Sequence, residues 1–196
     1  MSKRPPKVFL SASAVGFYGD RPGERLTETS AVGIGFFPDL VTEWEATAML
    51  APAKTRVVTL RSGVIVARSG GFGPVRALTS CGLGTRFSTG GQFWPWISLY
   101  DEAAAIRHLM TSKLSGAVNL VGPQPATSDR ITSAYARRLH RPYLLRAPEF
   151  AVKLLGEAGE RLLLDSAKVL PVRLTGDGFR FRHATVDEAI GVALRD

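Results

Sequence analysis

Two nearly continuous apolar runs restrict the fold of this chain more than any other feature of its sequence. KVFLSASA at 7–14 and TRVVTLRSGVIVA at 55–67 are rich in β-branched and aromatic residues. Strands that are apolar on both faces are typical of parallel sheets covered by helices on each side. The two runs, with a third short strand at GAVNLVG (116–122), therefore predict an α/β fold with a parallel sheet.

Amphipathic segments alternate with these strands. LVTEWEATAML predicts a helix with one buried face, because its apolar residues recur at helical spacing: Leu40, Val41, Trp44, Ala48 and Leu50. Further helices are predicted at DEAAAIRHLM, which Asp101 opens and caps, and at SDRITSAYARRLHRP, which Ser128 caps. A last helix follows the capping box that Thr185 and Glu188 predict.

Other segments have turn-rich or irregular sequences. GDRPGERLTETS (19–30) predicts a loop, and residues 74–95 predict a long functional loop because they carry aromatic side chains. Beyond Pro142, an apolar helix is predicted around FAVKLLG.

Bulk properties narrow the function classes. No apolar run reaches the length of a membrane span, and the N-terminus lacks the pattern of a signal peptide. The single Cys81 excludes an internal disulfide and favours a reducing, cytoplasmic location. Three scattered histidines argue against a metal site. The net charge of +8 attracts phosphates. The basic residues are spread along the chain, however, so only the amino-acid composition supports nucleic-acid binding.

Five motifs occur in a fixed order: SASAVGFYG, FFPDLVTEWEA, LRSGVIVA, GGQFWPWI and KVLPVRL…GFRF. With them the chain resembles the epimerase family proteins, an atypical branch of the extended short-chain dehydrogenase/reductases. The resemblance covers essentially the whole chain. It implies the C-terminal part of a doubly wound, Rossmann-like parallel sheet at 1–141, followed by a small α-rich substrate-side domain at 142–196.

The resemblance also implies a missing part. Family members begin with a GxxGxxG half that holds the cofactor pyrophosphate at a helix N-terminus, and no such fingerprint precedes a helix here. The chain is expected to start just before the family's fifth strand. Val8, Phe9 and Leu10 would then lie on a bare apolar edge, which favours pairing with a partner chain or self-association.

Members of this superfamily use a Tyr-x-x-x-Lys pair on the helix after the fifth strand, where the lysine lowers the phenol pKa for proton transfer. Here the matching positions are Phe37 and Val41. Neither residue can ionise, so the sequence leaves the question of catalysis open.

The remaining site residues are implied by position in the motifs. Ser13, Ser11 and Tyr18 are the candidates for catalysis, with strand-end hydrogen bonding or packing as the alternative. Residues expected at the cofactor are Ser11, Ala12, Arg61 and Gly63. Residues expected at the substrate are Trp94, Trp96 and Arg61, with core packing or an ion pair as the alternative. Tyr100 and Cys81 are poorer candidates, and Ser98 stands where relatives often carry a histidine.

The resemblance implies an NADP- or NAD-dependent, sugar-nucleotide-epimerase-like protein that binds a dinucleotide and a nucleotide-sugar or another small molecule. The alternative is a non-catalytic dinucleotide-sensing or protein-interaction module, which Phe37 and Val41 favour.

Overall fold

A three-stranded parallel sheet is the centre of the computed structural model, which describes residues 5–154, 156, 161 and 163–195. Strands β1 (Val8–Ala14), β3 (Arg56–Ser62) and β7 (Gly116–Leu120) form it in the order β1–β3–β7. All neighbours are parallel, as the sequence predicts. Within the described residues β1 pairs only with β3, so it is an edge strand, and its Phe9 side chain is 40% exposed.

Other strands in the described part of the chain form three short parallel pairs. Strand β2 (Arg21–Leu26) pairs with β9 (Ala167–Val169), β4 (Val64–Val66) with β6 (Trp96–Ser98), and β5 (Gly84–Phe87) with β8 (Tyr143–Ala147). The prediction of loops at 19–30 and 74–95 is wrong at β2 and β5. Both strands depend on distant partners and contain register shifts, so their local sequences lack a regular alternation.

The run at 55–67, predicted as one strand, is divided at Gly63. A side chain there would meet the Pro95 carbonyl at 3.0 Å. The Gly63 amide donates to the Leu120 carbonyl, whereas the next amide, that of Val64, donates to Pro95. The backbone therefore stops pairing with β7 at Gly63 and pairs with β6 from Val64 onward.

Helices cover the sheets. They are α1 (Phe36–Ala48), α2 (Gly73–Ser80), α3 (Leu99–Thr111), α4 (Ser128–Arg138), α5 (Glu149–Lys153), α6 (Val172–Gly176) and α7 (Val186–Ala193). A 3₁₀ turn follows β1 at Val15–Tyr18. Helix α2 lies in the segment predicted to be irregular. The predicted helix around FAVKLLG includes position 155, which lies outside the described residues.

Two of the predicted helix caps are wrong by a few residues. The Ser98 side chain caps α3 by accepting from the Asp101 amide, and Thr127, not Ser128, caps α4. The capping box of Thr185 and Glu188 at α7 is confirmed.

Helices α1 and α3 lie on opposite faces of the central sheet. Arg61 of β3 bonds to Glu45 of α1, while the preceding Leu60 packs with Ala105 and Leu109 of α3. Neighbouring residues of a strand point to opposite faces, so the two helices enclose the sheet. In the described part of the chain, no helix combines the length and apolar character needed to cross a bilayer.

The predicted buried face of α1 is only partly correct. Val41 and Ala48 are buried, but Leu40, Trp44 and Leu50 are 46%, 47% and 82% exposed. Helical spacing identifies an apolar stripe, but it does not say whether another element covers that stripe.

Candidate functional site

An apolar cavity of about 450 Å³ lies at the carboxyl end of the central sheet. Val15 and Gly16, which follow β1, form part of its wall, together with Val64 of β4 beyond β3. Phe37 of α1 and Trp94 also line the wall. Open α/β sheets bind ligands outside the carboxyl ends of their strands, so this cavity is the candidate site.

The two positions that match the Tyr-x-x-x-Lys pair lie on and behind the cavity wall. Phe37 is on the cavity wall with its side chain 42% exposed, and its ring contacts Phe36 edge to face at 5.5 Å between centroids. Val41, one turn further along α1, is 3% exposed. Hydrocarbon therefore occupies both positions, and neither can transfer or tune a proton.

A buried ion pair fastens α1 to the sheet behind this wall. The Arg61 Nε and Nη2 atoms donate to the two carboxylate oxygens of Glu45, each at 2.8 Å. The Ser13 Oγ donates to the same carboxylate at 2.6 Å. Their arrangement is bidentate and largely desolvated, with the Arg61 side chain 5% exposed.

Tyr18 extends this network across the sheet. Its hydroxyl donates to the Asn119 Oδ1 at 2.7 Å and accepts from the Arg61 Nη1 at 3.2 Å. The Arg61 guanidinium carbon also lies 3.3 Å from the centroid of the Phe17 ring. The structure thus unites Ser13, Tyr18 and Arg61, and none of the three lines the apolar cavity.

Protonation in the network follows from burial and pairing. Burial raises the pKa of Glu45, but hydrogen bonds from Arg61 and Ser13 outweigh it and hold that pKa below its usual value. For Tyr18, burial raises the pKa, and the opposing hydrogen bond and charge of Arg61 do not offset it. Glu45 is therefore a stable carboxylate and Tyr18 a neutral phenol, which suits a structural link.

The remaining residues predicted at the cofactor also lie off the cavity wall. The Ser11 Oγ donates to the Ala12 carbonyl at 3.3 Å, and Ala12 is exposed on the edge strand. Gly63 packs against the Pro95 backbone.

The two tryptophans predicted at the substrate have different positions. Trp94 lines the cavity and packs between Phe72 and Phe87, with ring centroids 5.9 and 6.0 Å away. Trp96 is 1% exposed, and its Nε1 donates to the Gln124 carbonyl at 2.9 Å. Trp96 is therefore a core residue, and Trp94 alone of the pair forms part of the cavity.

A buried cluster joins the start of α3 to the C-terminal segment. The Ser98 Oγ donates to the Asp101 Oδ2 at 2.8 Å and lies 2.9 Å from the His183 Nδ1. The same Asp101 carboxylate accepts the backbone amides of Arg182 and His183 at 2.8 and 3.1 Å. An imidazole thus lies beside Ser98 after all, but a distant part of the chain supplies it. All of these contacts are structural links.

Tyr100 and Cys81 are exposed and lie off the cavity wall. Tyr100 is in the first turn of α3, where the Arg182 guanidinium lies 4.6 Å from its ring centroid.

Sequence reasoning missed several wall residues, namely Ile34, Phe36, Phe72, Phe93, Arg161 and Asp165. Arg161 and Asp165 are the charged groups among the described lining residues. The paired phenylalanines at 36–37 were a usable signal. The local sequence around Arg161 and Asp165 gave no such signal, because tertiary packing brings these two residues to the cavity.

A second, polar cavity of about 460 Å³ shares Phe93 and Asp165 with the apolar one. Three carboxylates line it, those of Asp20, Glu149 and Asp165. No lysine or arginine is among its described lining residues.

Several known proteins resemble this chain, and the curated relatives named below are epimerase family proteins. Residues 147–192 match the family model described as a domain of unknown function, DUF1731. "Epimerase family protein ML0860" of Mycobacterium leprae is 39% identical over 191 residues, which cover 95% of this chain and 62% of that protein. "Epimerase family protein SDR39U1" of Bos taurus is 33% identical, covering 98% of this chain and 66% of that protein. The chain thus spans somewhat less than two thirds of the length of these curated relatives.

Solved structures agree with the sequence matches. The crystal structure of human epimerase family protein SDR39U1 (isoform 2) with NADPH superposes with a TM-score of 0.93 at 29% identity, covering 100% of this chain and 68% of that one. A nucleoside-diphosphate sugar epimerase from Corynebacterium glutamicum gives a TM-score of 0.77 at 31% identity, covering 96% of this chain and 37% of that one.

Proposed function

We propose that this chain forms the substrate side of a protein that binds NADP(H) or NAD(H). The chain belongs to the epimerase family of atypical extended short-chain dehydrogenase/reductases. The observation that carries the proposal is the apolar cavity at the carboxyl ends of β1 and β3. A nicotinamide ring fits a wall of this kind, since it is flat and its faces can stack on aromatic and aliphatic side chains.

Val15, Gly16 and Phe37 are the residues that would contact the ring. When bound, the nicotinamide supplies hydride transfer to or from a carbinol carbon. The chain's own contribution is a dry wall that orients the ring and excludes water. We expect the pyrophosphate to be held by a GxxGxxG segment in the third of the family's length that this chain does not span. Arg61 is a poor phosphate ligand, because Glu45 occupies its guanidinium.

We infer that any proton transfer at this cavity does not use a Tyr–Lys pair on α1. Phe37 and Val41 occupy those positions, Tyr18 is engaged with Asn119, and Ser13 donates to Glu45. Arg161 and Asp165 are the charged groups on the described wall. They are the candidates for orienting a polar group or moving a proton there.

Titration of the chain with NADPH and with NADH, followed by energy transfer from tryptophan to the nicotinamide, tests the proposal. Trp94 lies on the cavity wall, so a bound ring gives efficient transfer. We expect Phe37→Asp to weaken binding by at least about tenfold, since it places a charge on the wall. Leu40→Asp is the matched control, because Leu40 is equally exposed on the same helix and does not line the cavity. Equal effects of the two variants would refute the assignment.

Non-catalytic sensing of a dinucleotide is the second candidate function. The hydrocarbon at Phe37 and Val41 favours it, since the helix retains its place beside the cavity without the usual acid–base chemistry. Incubation of the NADPH complex with a panel of small carbonyl compounds separates the two candidates. Binding without oxidation of NADPH supports sensing, and turnover supports an enzyme.

A further inference from the structure

The chemistry of the cavity wall limits what can occupy it. Aromatic rings come from Phe36, Phe37, Phe72, Phe93 and Trp94, and aliphatic groups fill most of the remainder. Arg161 and Asp165 supply one positive and one negative group. Such a wall stabilises a ligand chiefly by removing apolar surface from water.

The charge on the walls of the neighbouring polar cavity is negative, which disfavours a diphosphate. Asp20, Glu149 and Asp165 line it, without a basic residue among the described lining positions. Lys168 lies nearby, with its Nζ 5.0 Å from the Phe93 ring centroid, but it lines neither cavity. A nucleotide-sugar carries two phosphate charges that need cationic or backbone donors when they leave water. Neither the apolar nor the acidic cavity offers a cluster of lysine or arginine side chains on its described walls.

We propose that the ligand facing the nicotinamide is an apolar, ring-bearing compound with one carbonyl or hydroxyl group and no diphosphate. This inference rests on the proposed function, because it concerns the occupant of the same site. It replaces the nucleotide-sugar that the family resemblance implies. Arg161 and Asp165 are the groups that would meet the ligand's polar end.

A fluorescent probe that combines apolar rings with one small polar group and no diphosphate tests the inference. We use 1-anilinonaphthalene-8-sulfonate, which has two aromatic ring systems and a single charge, with UDP-glucose as the competing ligand. The expected result is saturable probe fluorescence that excess UDP-glucose does not reduce. Displacement of the probe by UDP-glucose would overturn the inference, because it would show that a nucleotide-sugar occupies the cavity.

Two exposed positions give a matched pair of variants. Ile34 is 94% exposed and lies at the cavity rim, whereas Leu144 is 84% exposed and lines neither cavity. We expect Ile34→Asp to weaken probe binding by at least about tenfold and Leu144→Asp to leave it within about twofold. Similar binding by both variants would place the probe elsewhere and refute the inference. Thermal melting and near-ultraviolet circular dichroism confirm that each variant is folded, since both side chains lie in solvent.

NADPH titration of the same preparation separates this inference from the proposed function. Probe binding at the rim-sensitive site without NADPH binding contradicts the dinucleotide proposal and leaves the ligand class intact. NADPH binding together with displacement of the probe by UDP-glucose supports the dinucleotide proposal and contradicts the proposed ligand class.

Discussion

Helix α1 borders two regions of opposite chemistry. At Glu45 it is held to the sheet by a buried ion pair and hydrogen bonds that reach Ser13, Arg61 and Tyr18. At Phe37, about two helical turns away, it presents hydrocarbon to a cavity. The residues that look catalytic in the sequence therefore belong to the polar network that forms the scaffold of α1, and the residue that looks inert lines the cavity of the candidate site.

This contrast shows that the groups that hold α1 in place are separate from the groups on the cavity wall. The polar network positions α1 against β1 and β3 without any group from the cavity wall. The wall can then change its chemistry while the helix stays in place. Four experiments can break or sharpen this division between scaffold and wall.

Glu45→Ala should have the largest effect. It leaves the Arg61 guanidinium, whose side chain is 5% exposed, without its charge partner. We expect the free energy of unfolding to fall by about 3–5 kcal/mol in urea denaturation. Glu43→Ala, at an exposed position of the same helix, should change it by less than about 0.5 kcal/mol. Comparable losses from both variants would contradict the scaffold role of Glu45.

Tyr18→Phe should cost about 1–3 kcal/mol, since it leaves the Asn119 carbonyl oxygen and an Arg61 donor without their partner. Tyr135→Phe is the control. The Tyr135 hydroxyl is buried without a partner in the described residues, and burial raises its pKa to about 12. Its removal should leave the free energy of unfolding unchanged or higher. A loss from Tyr135→Phe as large as that from Tyr18→Phe would argue against the network.

Glu102→Gln tests a buried carboxyl on the other face of the sheet, where it accepts from the Ser62 Oγ at 2.6 Å. Burial raises the pKa of Glu102 above its ordinary value of 4.5 despite that hydrogen bond. The native state therefore binds more protons than the unfolded state above pH 4.5, and Glu102 lowers stability as pH rises through its folded pKa. We expect the variant to be more stable than wild type at neutral pH and the difference to disappear at low pH, where the wild-type carboxyl is protonated. A constant difference across pH would exclude this cause.

Phe37→Tyr should have the smallest effect on stability, less than about 0.5 kcal/mol, because the side chain is already partly exposed. It restores a phenol to the wall, but Val41 leaves no lysine to lower the phenol pKa. We therefore expect no gain in the oxidation of NADPH by carbonyl compounds, measured by loss of nicotinamide absorbance. A large rate increase would mean that another group activates a phenol at this position.

Elements with strong local signals were predictable from the sequence. The apolar runs predict β1 and β3, helical spacing predicts α1, and the Thr185–Glu188 pair predicts the start of α7. Strands β2 and β5 were missed because short parallel pairs depend on partners at 167–169 and 143–147. The division at Gly63 was missed because it comes from contact with Pro95 and leaves no trace in hydrophobicity.

The candidate site was predictable in a different way. The position within the motif FFPDLVTEWEA placed Phe37 and Val41 on the helix beside the cavity, since a motif fixes where a residue lies along an element. It did not identify the partners of Ser13, Tyr18 and Arg61, because an ion pair between α1 and β3 depends on which side chains face each other. The carboxylates of the polar cavity come from three separate segments, so no local sequence pattern predicts that they lie together.

The Asp101 cluster has a consequence for cooperativity. Because its carboxylate accepts the amides of Arg182 and His183, the C-terminal segment cannot detach without breaking two hydrogen bonds to a buried carboxyl at the start of α3. The two segments should open together as one unit. In native-state hydrogen exchange, those two amides would then share the protection of the interior of α3 and exchange more slowly than their neighbours in the tail.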